Sequence, residues 1–400
     1  MFRLKTGFWW LVVKAIKLAS YVLPMQMPAI YSGPGASRQL TAFVGRGGFN
    51  HVLLVTDKAL TEIGLYQPMV QMLEQAGVRV SVFDEVTPDP TDEQITRGAE
   101  RFKSLGCDAV LGVGGGSPMD AAKMIAVLPF LNKPVNKCSG LLRIRRKGAP
   151  LFLVPTTAGT GSEVTIAAVV TVAGTGKKLP VADPVLLPEA AALDPELMTG
   201  LPPAVTAASG YDALTHAVEA YISTNATSST DRYALSAARL IWHNLPVCMS
   251  TPGDLGAREA MAMASCYAGI AFTKSGLGYT HGIAHQLGAF YHVPHGVANA
   301  MVLPHVLRFS LPNCASRLAE LARHCGLGEP GQSDLELARE FIDKLEQLRE
   351  SLGLPGKCEQ LTERDFRVIT ERAFAESHML YAVPRYMQEE DCYSVLRKLA

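Results

Sequence analysis

The chain has 400 residues, more than one hydrophobic core usually supports, so its length predicts two domains. Hydrophobic residues make up 48% and charged residues 18%, which is typical of a folded globular protein and excludes an intrinsically disordered one. The 37 Lys and Arg residues balance the 37 Asp and Glu residues, so the chain has no net positive charge that would attract nucleic acid or an anionic membrane. A small ligand is therefore expected.

The first residues, MFRLKTGFWWLVVKAIKLASYVLP, resemble the start of a signal peptide. The apolar run is interrupted at Lys14 and Lys17, no A-x-A site follows, and the run is too short to span a membrane. The pattern predicts an amphipathic extension over residues 1–25, with one face formed by Trp9, Val12, Val13, Ile16 and Ala19. Docking on the protein's own surface or on a second subunit is favoured over peripheral membrane contact through residues 1–24.

In residues 26–199, short β-rich runs alternate with helical segments such as ALTEIGLYQPMVQMLEQAG and DEQITRGAERFKSLG. The β-rich runs are HVLLVTD (51–57), VRVSVFDEV (78–86), AVLGVGGGS (109–117) and PLFLVPTTAGTGS (150–162). This repetition predicts a parallel, doubly wound sheet with ligand sites at the carboxyl ends of its strands. We therefore expect a Rossmann-like, dinucleotide-binding α/β domain.

After residue 200 the β pattern fades, and long helical periods such as AVTAASGYDALTHAVEAYI and DLELAREFIDKLEQLRESLG dominate. Residues 200–400 are predicted to form an all-helical domain. The Pro-rich segment DPELMTGLPP (194–203) is the expected hinge.

A glycine-rich loop, GVGGGSPMDAAK (112–123), follows one predicted strand. Ser117, Pro118 and Asp120 predict the N-cap, the first position and the acidic third position of a helix, whose N-terminus favours a pyrophosphate. The loop lacks the dinucleotide fingerprint GxGxxG, because Ser117 stands where the third glycine is expected. By itself it is equally consistent with a structural turn.

A second loop, VPTTAGTGSEVT (154–165), presents hydroxyl groups at Thr156, Thr157, Thr160 and Ser162. Two such loops at the ends of neighbouring parallel strands can hold one dinucleotide. Asp57 ends the first strand, where it could bind ribose hydroxyls and repel a 2′-phosphate, favouring NAD over NADP; a solvated turn residue is the alternative.

Candidate metal ligands lie in the helical half. Asp212 and His216 have i, i+4 spacing, as do His281 and His285 in HGIAHQLGAFYHVPHG, which also contains His292 and His295. A single such pair is more often a hydrogen bond than a metal site. The spacing alone leaves at least three ways to choose the ligands.

Four blocks, GGGSPMDAAK, PTTAGTGSEVT, DALTHAVEAY and HGIAHQLGAFYHVPHGVANAMVLPH, resemble the iron-containing (group III) alcohol dehydrogenases from about Pro28 to the C-terminus. The resemblance implies the dehydroquinate synthase-like fold, an α/β N-terminal Rossmann-like domain plus an all-α C-terminal domain, with cofactor and metal in the cleft between. It implies NAD and a divalent metal, Fe²⁺ or alternatively Zn²⁺. The implied metal ligands are Asp212, His216, His281 and His295.

The resemblance also places His285 beside the nicotinamide and substrate, and leaves His292 without a functional role. Its implied cofactor contacts are Asp57, Gly114, Gly115, Gly116, Ser117, Asp120, Thr156, Thr157, Thr160 and Lys178. For the last of these, the adjacent Lys177 is an alternative. Lys274 and the VPR sequence at 383–385 depart from the family pattern and bear on the choice of substrate.

The implied reaction is reversible hydride transfer between an alcohol and NAD, with the metal as Lewis acid and His285 as a hypothetical proton relay. The alternatives are a glycerol dehydrogenase-like or other polyol or hydroxy acid dehydrogenase of the same fold, a dehydroquinate synthase, and a non-catalytic nucleotide-binding assembly protein. The expected partners are a small alcohol or aldehyde and further copies of the chain in a homodimer or higher oligomer.

Eight scattered cysteines without a CxxC pair favour the reducing cytoplasm as the location of the protein.

Overall fold

The computed structural model describes residues 2–22 and 26–400, which divide into an α/β unit and a helical unit. The α/β unit contains the chain from its first strand through Leu201, together with Gly253–Cys266. The helical unit contains the N-terminal helix, Pro202–Pro252 and Tyr267–Ala400. The division after Leu201 falls inside the Pro-rich segment 194–203.

The α/β unit contains the strands of the described residues. They are, in chain order, β1 (Ala29–Ser32), β2 (His51–Val55), β3 (Arg79–Phe83), β4 (Ala109–Gly114), β5 (Gly140–Leu141), β6 (Leu151–Pro155), β7 (Ala167–Thr171), β8 (Lys178–Ala182) and β9 (Ala190–Leu193). Six of them form a parallel sheet in the order β1-β9-β6-β4-β2-β3. The strands β5, β8 and β7 form a second, smaller sheet.

The helices surround this sheet or form the helical unit. They are, in chain order, α1 (Phe2–Val22), α2 (Ala36–Gly45), α3 (Lys58–Glu62), α4 (Gln67–Gln75), α5 (Asp92–Leu105), α6 (Gly116–Val127), α7 (Pro203–Ile222), α8 (Ser228–Ser250), α9 (Leu255–Ser275), α10 (Tyr279–Tyr291), α11 (His295–His324), α12 (Asp334–Ser351), α13 (Phe366–Leu380) and α14 (Glu389–Leu399).

The parallel sheet is buried on both faces, because alternate residues of each central strand enter different cores. Val52 and Leu54 of β2 pack with residues of α2 and α4, whereas Leu53 and Val55 pack with residues of α5 and α6. The fold class predicted from the sequence, an α/β part followed by a mostly helical part, is confirmed.

Three local predictions differ from the structure. The segment ALTEIGLYQPMVQMLEQAG forms two helices, α3 and α4, because Gly64 between them adopts a left-handed φ of 67°. The helix α6 begins at Gly116 with Gly115 as its N-cap, so Ser117 is not the cap. The sequence pattern also missed the strands β1, β5, β7, β8 and β9. The residues of β9, AAAL, carry little β propensity.

The N-terminal helix α1 docks on the helical unit through the predicted face. The Trp9 ring stacks on His378 at a centroid distance of 4.0 Å, and Val13 is buried. Nζ of Lys14 donates a hydrogen bond to the carbonyl oxygen of Thr224 over 2.7 Å. Ile16 and Ala19, predicted on the same face, have side chains outside the described part of the structure. No helix among the described residues has the length and apolar character needed to cross a bilayer.

Candidate metal centre and cofactor loops

Three helices of the helical unit bring one carboxylate and three imidazoles together. Asp212 and His216 lie one turn apart on the buried part of α7, His281 lies in the first turn of α10, and His295 is the first residue of α11. One potential ligand atom from each residue lies within 4.8 Å of those of the other three. Oδ1 of Asp212 lies 4.0, 3.8 and 3.4 Å from the Nε2 atoms of His216, His281 and His295, respectively.

The turn between α10 and α11 brings His295 back to this cluster. His292 ends α10 with a left-handed φ of 55°, and Pro294 is the N-cap of α11. His292 therefore terminates a helix and lies outside the cluster formed by the other histidines.

Asn299, one turn after His295 on α11, completes the lining of the cluster. Its Nδ2 atom lies 2.7 Å from Oδ1 of Asp212 and 3.2 Å from the Nε2 atoms of both His281 and His295. An amide group has two hydrogens, which are too few for three acceptors. A divalent cation satisfies a buried carboxylate and several imidazole nitrogens at once, so this donor set fits a metal.

Electrostatics at the cluster favour the forms that coordinate metal. Burial raises the pKa of Asp212, but the adjacent imidazoles of His216, His295 and His281 outweigh it and hold the pKa below its ordinary value. Burial lowers the pKa of His281 well below its ordinary value. The Asp212 carboxylate is therefore ionised at neutral pH and the His281 imidazole is neutral.

Glu219 orients His281 from the side opposite Asp212. Its Oε2 lies 2.7 Å from Nδ1 of His281 and also accepts a hydrogen bond from the backbone N–H of Gly278, while Oε1 accepts from the backbone N–H of Thr280. Because Nδ1 donates to Glu219, Nε2 of His281 keeps its lone pair facing the cluster. The sequence did include a signal for this residue, since Glu219 follows His216 by three positions on the same helix.

His285 lies beside the cluster and has a carboxylate partner of its own. Its ring stacks on His295 at a centroid distance of 5.2 Å, and its Nδ1 lies 2.8 Å from Oε1 of Glu376. The hydroxyl of Tyr381 also donates to Oε1 of Glu376. Burial raises the pKa of Glu376, but His285 and the Tyr381 hydroxyl outweigh it and lower the pKa below its ordinary value.

In the α/β unit, the two predicted loops lie against each other at the carboxyl ends of β4 and β6, which are neighbours in the sheet. A Cβ atom built on Gly116 would lie 2.7 Å from Cγ2 of Thr160, and one built on Gly115 would lie 3.4 Å from Oγ1 of Thr157. A side chain at Gly116 would therefore clash with Thr160, whereas one at Gly115 would meet Thr157 at ordinary van der Waals distance. Asp57 lies at the end of β2, the next strand in the sheet, and caps α3 by accepting from the N–H of Leu60.

The remaining predicted cofactor residues are tied to the surrounding structure. Asp120 accepts hydrogen bonds from the Ser162 hydroxyl over 2.7 Å and from the backbone N–H of Val169 over 2.8 Å. The Ser117 hydroxyl accepts from the backbone N–H of Asp89, whose side chain pairs with Nζ of Lys178 at 2.6 Å. Asp120 thus joins α6 to the second loop, while Lys178 lies on β8.

The buried Lys123 ties the end of the second loop to α6. Nζ of Lys123, on α6, donates to the carbonyl oxygens of Thr165 and Ala167 over 2.9 and 2.7 Å. Burial lowers its pKa to about 8, against the raising effect of Asp120 and Glu163. Sequence reasoning missed this residue, because a lysine in a helix is ordinarily exposed.

Comparison with known proteins finds one family that matches both units of the chain. Residues 28–195 match the family described as iron-containing alcohol dehydrogenase, and residues 206–400 match the C-terminal domain of the same family. The chain belongs to the iron-containing alcohol dehydrogenase family. The family match begins after α1, so this helix lies outside it.

Individual members of the iron-containing alcohol dehydrogenase family resemble the chain over most of its length. The NAD-dependent methanol dehydrogenase of Bacillus methanolicus is 36% identical over 92% of this chain and 97% of its own. The 1,3-propanediol dehydrogenase of Klebsiella pneumoniae is 39% identical over 88% of this chain and 92% of its own. The solved structure of an alcohol dehydrogenase from Oenococcus oeni superposes with a TM-score of 0.90 at 32% identity, covering 94% of this chain and all of that one.

Proposed function

We propose that this chain is an NAD-dependent alcohol dehydrogenase that reversibly transfers a hydride between an alcohol and the nicotinamide. The observation that carries the proposal is the convergence of Asp212, His216, His281 and His295 on one buried point. Membership of the iron-containing alcohol dehydrogenase family supports the same reaction, and a relative of similar length is named as NAD-dependent.

The proposed metal ligands are these four residues, and Fe²⁺ is the proposed ion, with Zn²⁺ as the alternative. When bound, the ion supplies Lewis acidity that favours loss of the alcohol proton, and NAD supplies the acceptor for the hydride that leaves the carbinol carbon. The chain's own contribution at this point is a prearranged donor set: Glu219 fixes the tautomer of His281, and Asn299 holds Asp212.

His285 is the proposed proton relay. Because its Nδ1–H points at Glu376, its Nε2 is left as the acceptor for the alcohol proton, directly or through a water molecule. Glu376 stabilises the imidazolium that forms, and Tyr381 holds the carboxylate in place. In the direction of aldehyde reduction, the same nitrogen returns the proton to the product oxygen.

We propose residues 26–199 as the cofactor-binding domain and residues 200–400 as the metal-binding domain. The loop glycines Gly114, Gly115 and Gly116 and the N-terminus of α6 suit a pyrophosphate. The hydroxyls of Ser117, Thr156, Thr157 and Thr160, together with Asp57, Asp120 and Lys178, are the other proposed contacts.

The deciding experiment measures NAD reduction by the chain with a panel of primary alcohols, polyols and hydroxy acids, before and after metal removal and reconstitution. The proposal expects metal-dependent formation of NADH and of the matching aldehyde. A non-catalytic nucleotide-binding protein forms no NADH, and a synthase that uses hydride transfer only transiently gives no net redox change. Preference for glycerol over simple alcohols would indicate the polyol branch.

The proposal also includes a cytoplasmic location and a homo-oligomeric state. All eight cysteines are buried and unpaired, which suits a reducing compartment. The edge strand β1 exposes 37% of Ile30, and an exposed edge can pair with another copy of the chain. Mass measurement in solution tests the oligomeric state, and fractionation of the source cell tests the location.

A further inference from the structure

The N-terminal helix α1 has two faces with different surroundings. Its inner face is held on the helical unit, where Trp9 stacks on His378 and Val13 is buried. Nδ2 of Asn225 donates to the carbonyl oxygen of Val13, and Nζ of Lys14 donates to the side-chain oxygen of Asn225. These contacts fix which side of the helix faces outward.

The outward face is apolar. Phe8, Leu11 and Leu18 expose 59%, 60% and 69% of their surfaces, and the neighbouring Trp10 exposes 50%. Residues 8, 11 and 18 recur at helical spacing, so they form one stripe, which we call the outer stripe. Isolated exposed apolar residues need no explanation, but four large ones on one helix indicate a contact surface.

The charge of the helix distinguishes a lipid partner from a second copy of the chain. Arg3, Lys5, Lys14 and Lys17 are its charged residues, and the first acidic residue of the whole sequence is Asp57. Nζ of Lys14 and Nζ of Lys17 donate to the carbonyl oxygens of Thr224 and Ala226 in the helical unit, so these two lysines lie beside the outer stripe rather than on it. Two copies of α1 packed together would bring like charges together without any acidic residue to pair with them. An anionic lipid surface supplies the complementary charge, and aromatic and Leu side chains beside Lys and Arg suit the boundary between headgroups and acyl chains.

The helix also lies outside the part of the chain that matches the dehydrogenase family, which begins at residue 28. The matched residues therefore do not include the outer stripe. We propose that α1 binds the surface of an anionic lipid bilayer through the outer stripe while Trp9 keeps it docked on the helical unit. The enzyme is then a peripheral membrane protein, held parallel to the bilayer surface by a helix that does not span it.

Vesicle flotation of the full chain tests this proposal. The vesicles consist of phosphatidylcholine alone or of an equimolar mixture of phosphatidylcholine and phosphatidylglycerol. We expect the chain to float with the mixed vesicles, to float poorly with the neutral ones, and to dissociate at high ionic strength. The combined substitution Phe8→Gln, Leu11→Gln and Leu18→Gln should lower the affinity for the mixed vesicles on the order of tenfold or more.

The matched control replaces three exposed apolar residues elsewhere, Ile63→Gln, Leu105→Gln and Leu335→Gln, and should float like the unaltered chain. Unchanged NAD-dependent turnover in free solution would show that the outer-stripe variant is folded. The proposal is overturned if the unaltered chain does not bind the mixed vesicles, or if the outer-stripe variant binds them as well as the unaltered chain does. A lower oligomeric mass in that variant, without vesicle binding by the unaltered chain, would assign the stripe to a second copy.

Discussion

Nδ1 of His285 lies 2.8 Å from Oε1 of Glu376, and this contact fixes which nitrogen of the imidazole carries its proton. The same arrangement of a carboxylate behind an imidazole makes the ring a better base in other enzymes. Neither residue belongs to the four-residue metal cluster, although His285 stacks on His295. The proposed proton relay is therefore separate from the four proposed metal ligands.

Glu376→Gln should reduce kcat by about ten- to a hundredfold with little change in KM for NAD, because the amide no longer stabilises the imidazolium. Tyr381→Phe should cause a smaller loss than Glu376→Gln, since it removes the second hydrogen bond to Glu376 and leaves His285 paired. His285→Ala should show the larger loss, and added imidazole should restore part of it. Wild-type turnover in His285→Ala would contradict the relay.

Glu219→Gln should weaken metal affinity by roughly 10- to 100-fold, because Glu219 orients the His281 ring. Titration of the metal-free protein with Fe²⁺ or Zn²⁺ measures the change. The exposed Glu74→Gln is the control for a general loss of charge. Unaltered metal affinity in Glu219→Gln would limit the role of Glu219 to its bonds with the backbone of Gly278 and Thr280.

Asp57→Asn should raise the use of NADP relative to NAD by about tenfold or more, because it removes the negative charge that would repel a 2′-phosphate. Asn is as good an N-cap as Asp, so α3 should keep its capping bond to Leu60. The ratio of kcat/KM for the two cofactors is the measurement. An unchanged ratio would remove Asp57 from the proposed ribose contacts.

The fold should lose stability in acid through His378. Its ring lies between Trp9 and Phe374, with Tyr279 and Tyr386 at its edges, and burial lowers its pKa from the ordinary 6.5 to about 4. The unfolded state then takes up a proton first, so stability from this group is complete above pH 6.5 and is lost as the pH falls toward 4.

The expected loss from His378 is about 1–2 kcal/mol by pH 5, as judged from denaturant unfolding. His378→Phe keeps an aromatic ring without a proton site, so its stability should decline less between pH 7 and pH 5. A parallel decline in the variant and the wild type would show that His378 is not responsible.

Local patterns in the sequence predicted the parts of the fold that depend on periodicity. The strands β2, β3, β4 and β6 and the helix α7 follow from short β-rich runs and a 3.6-residue period, and the structure confirms them. The start of α6 was predicted two residues too late, because the hydroxyl of Ser117 bonds to Asp89 rather than to its own helix. That contact joins segments 28 residues apart, which local reasoning does not reach.

The site, too, could be predicted only as far as local patterns reach. The i, i+4 pairs indicated candidate ligands, and the family resemblance supplied the choice among them. Glu376 and Asn299 were missed, because their relation to His285 and Asp212 depends on contacts between helices separated by 91 and 87 residues. The apolar face of α1 that contains Trp9 was predicted, whereas the stacking of Trp9 on His378 is a tertiary contact without a signal in either segment alone.

The central claim is that four residues hold one metal ion that the dehydrogenase reaction requires. The most direct measurement is metal content and alcohol-dependent NADH formation in the same preparations of the wild type and of the single variants Asp212→Ala, His216→Ala, His281→Ala and His295→Ala. We predict about one ion per wild-type chain, and a joint loss of metal and activity in every variant that remains folded. Full metal occupancy in any folded variant, or undiminished turnover by the metal-free wild type, would contradict the claim.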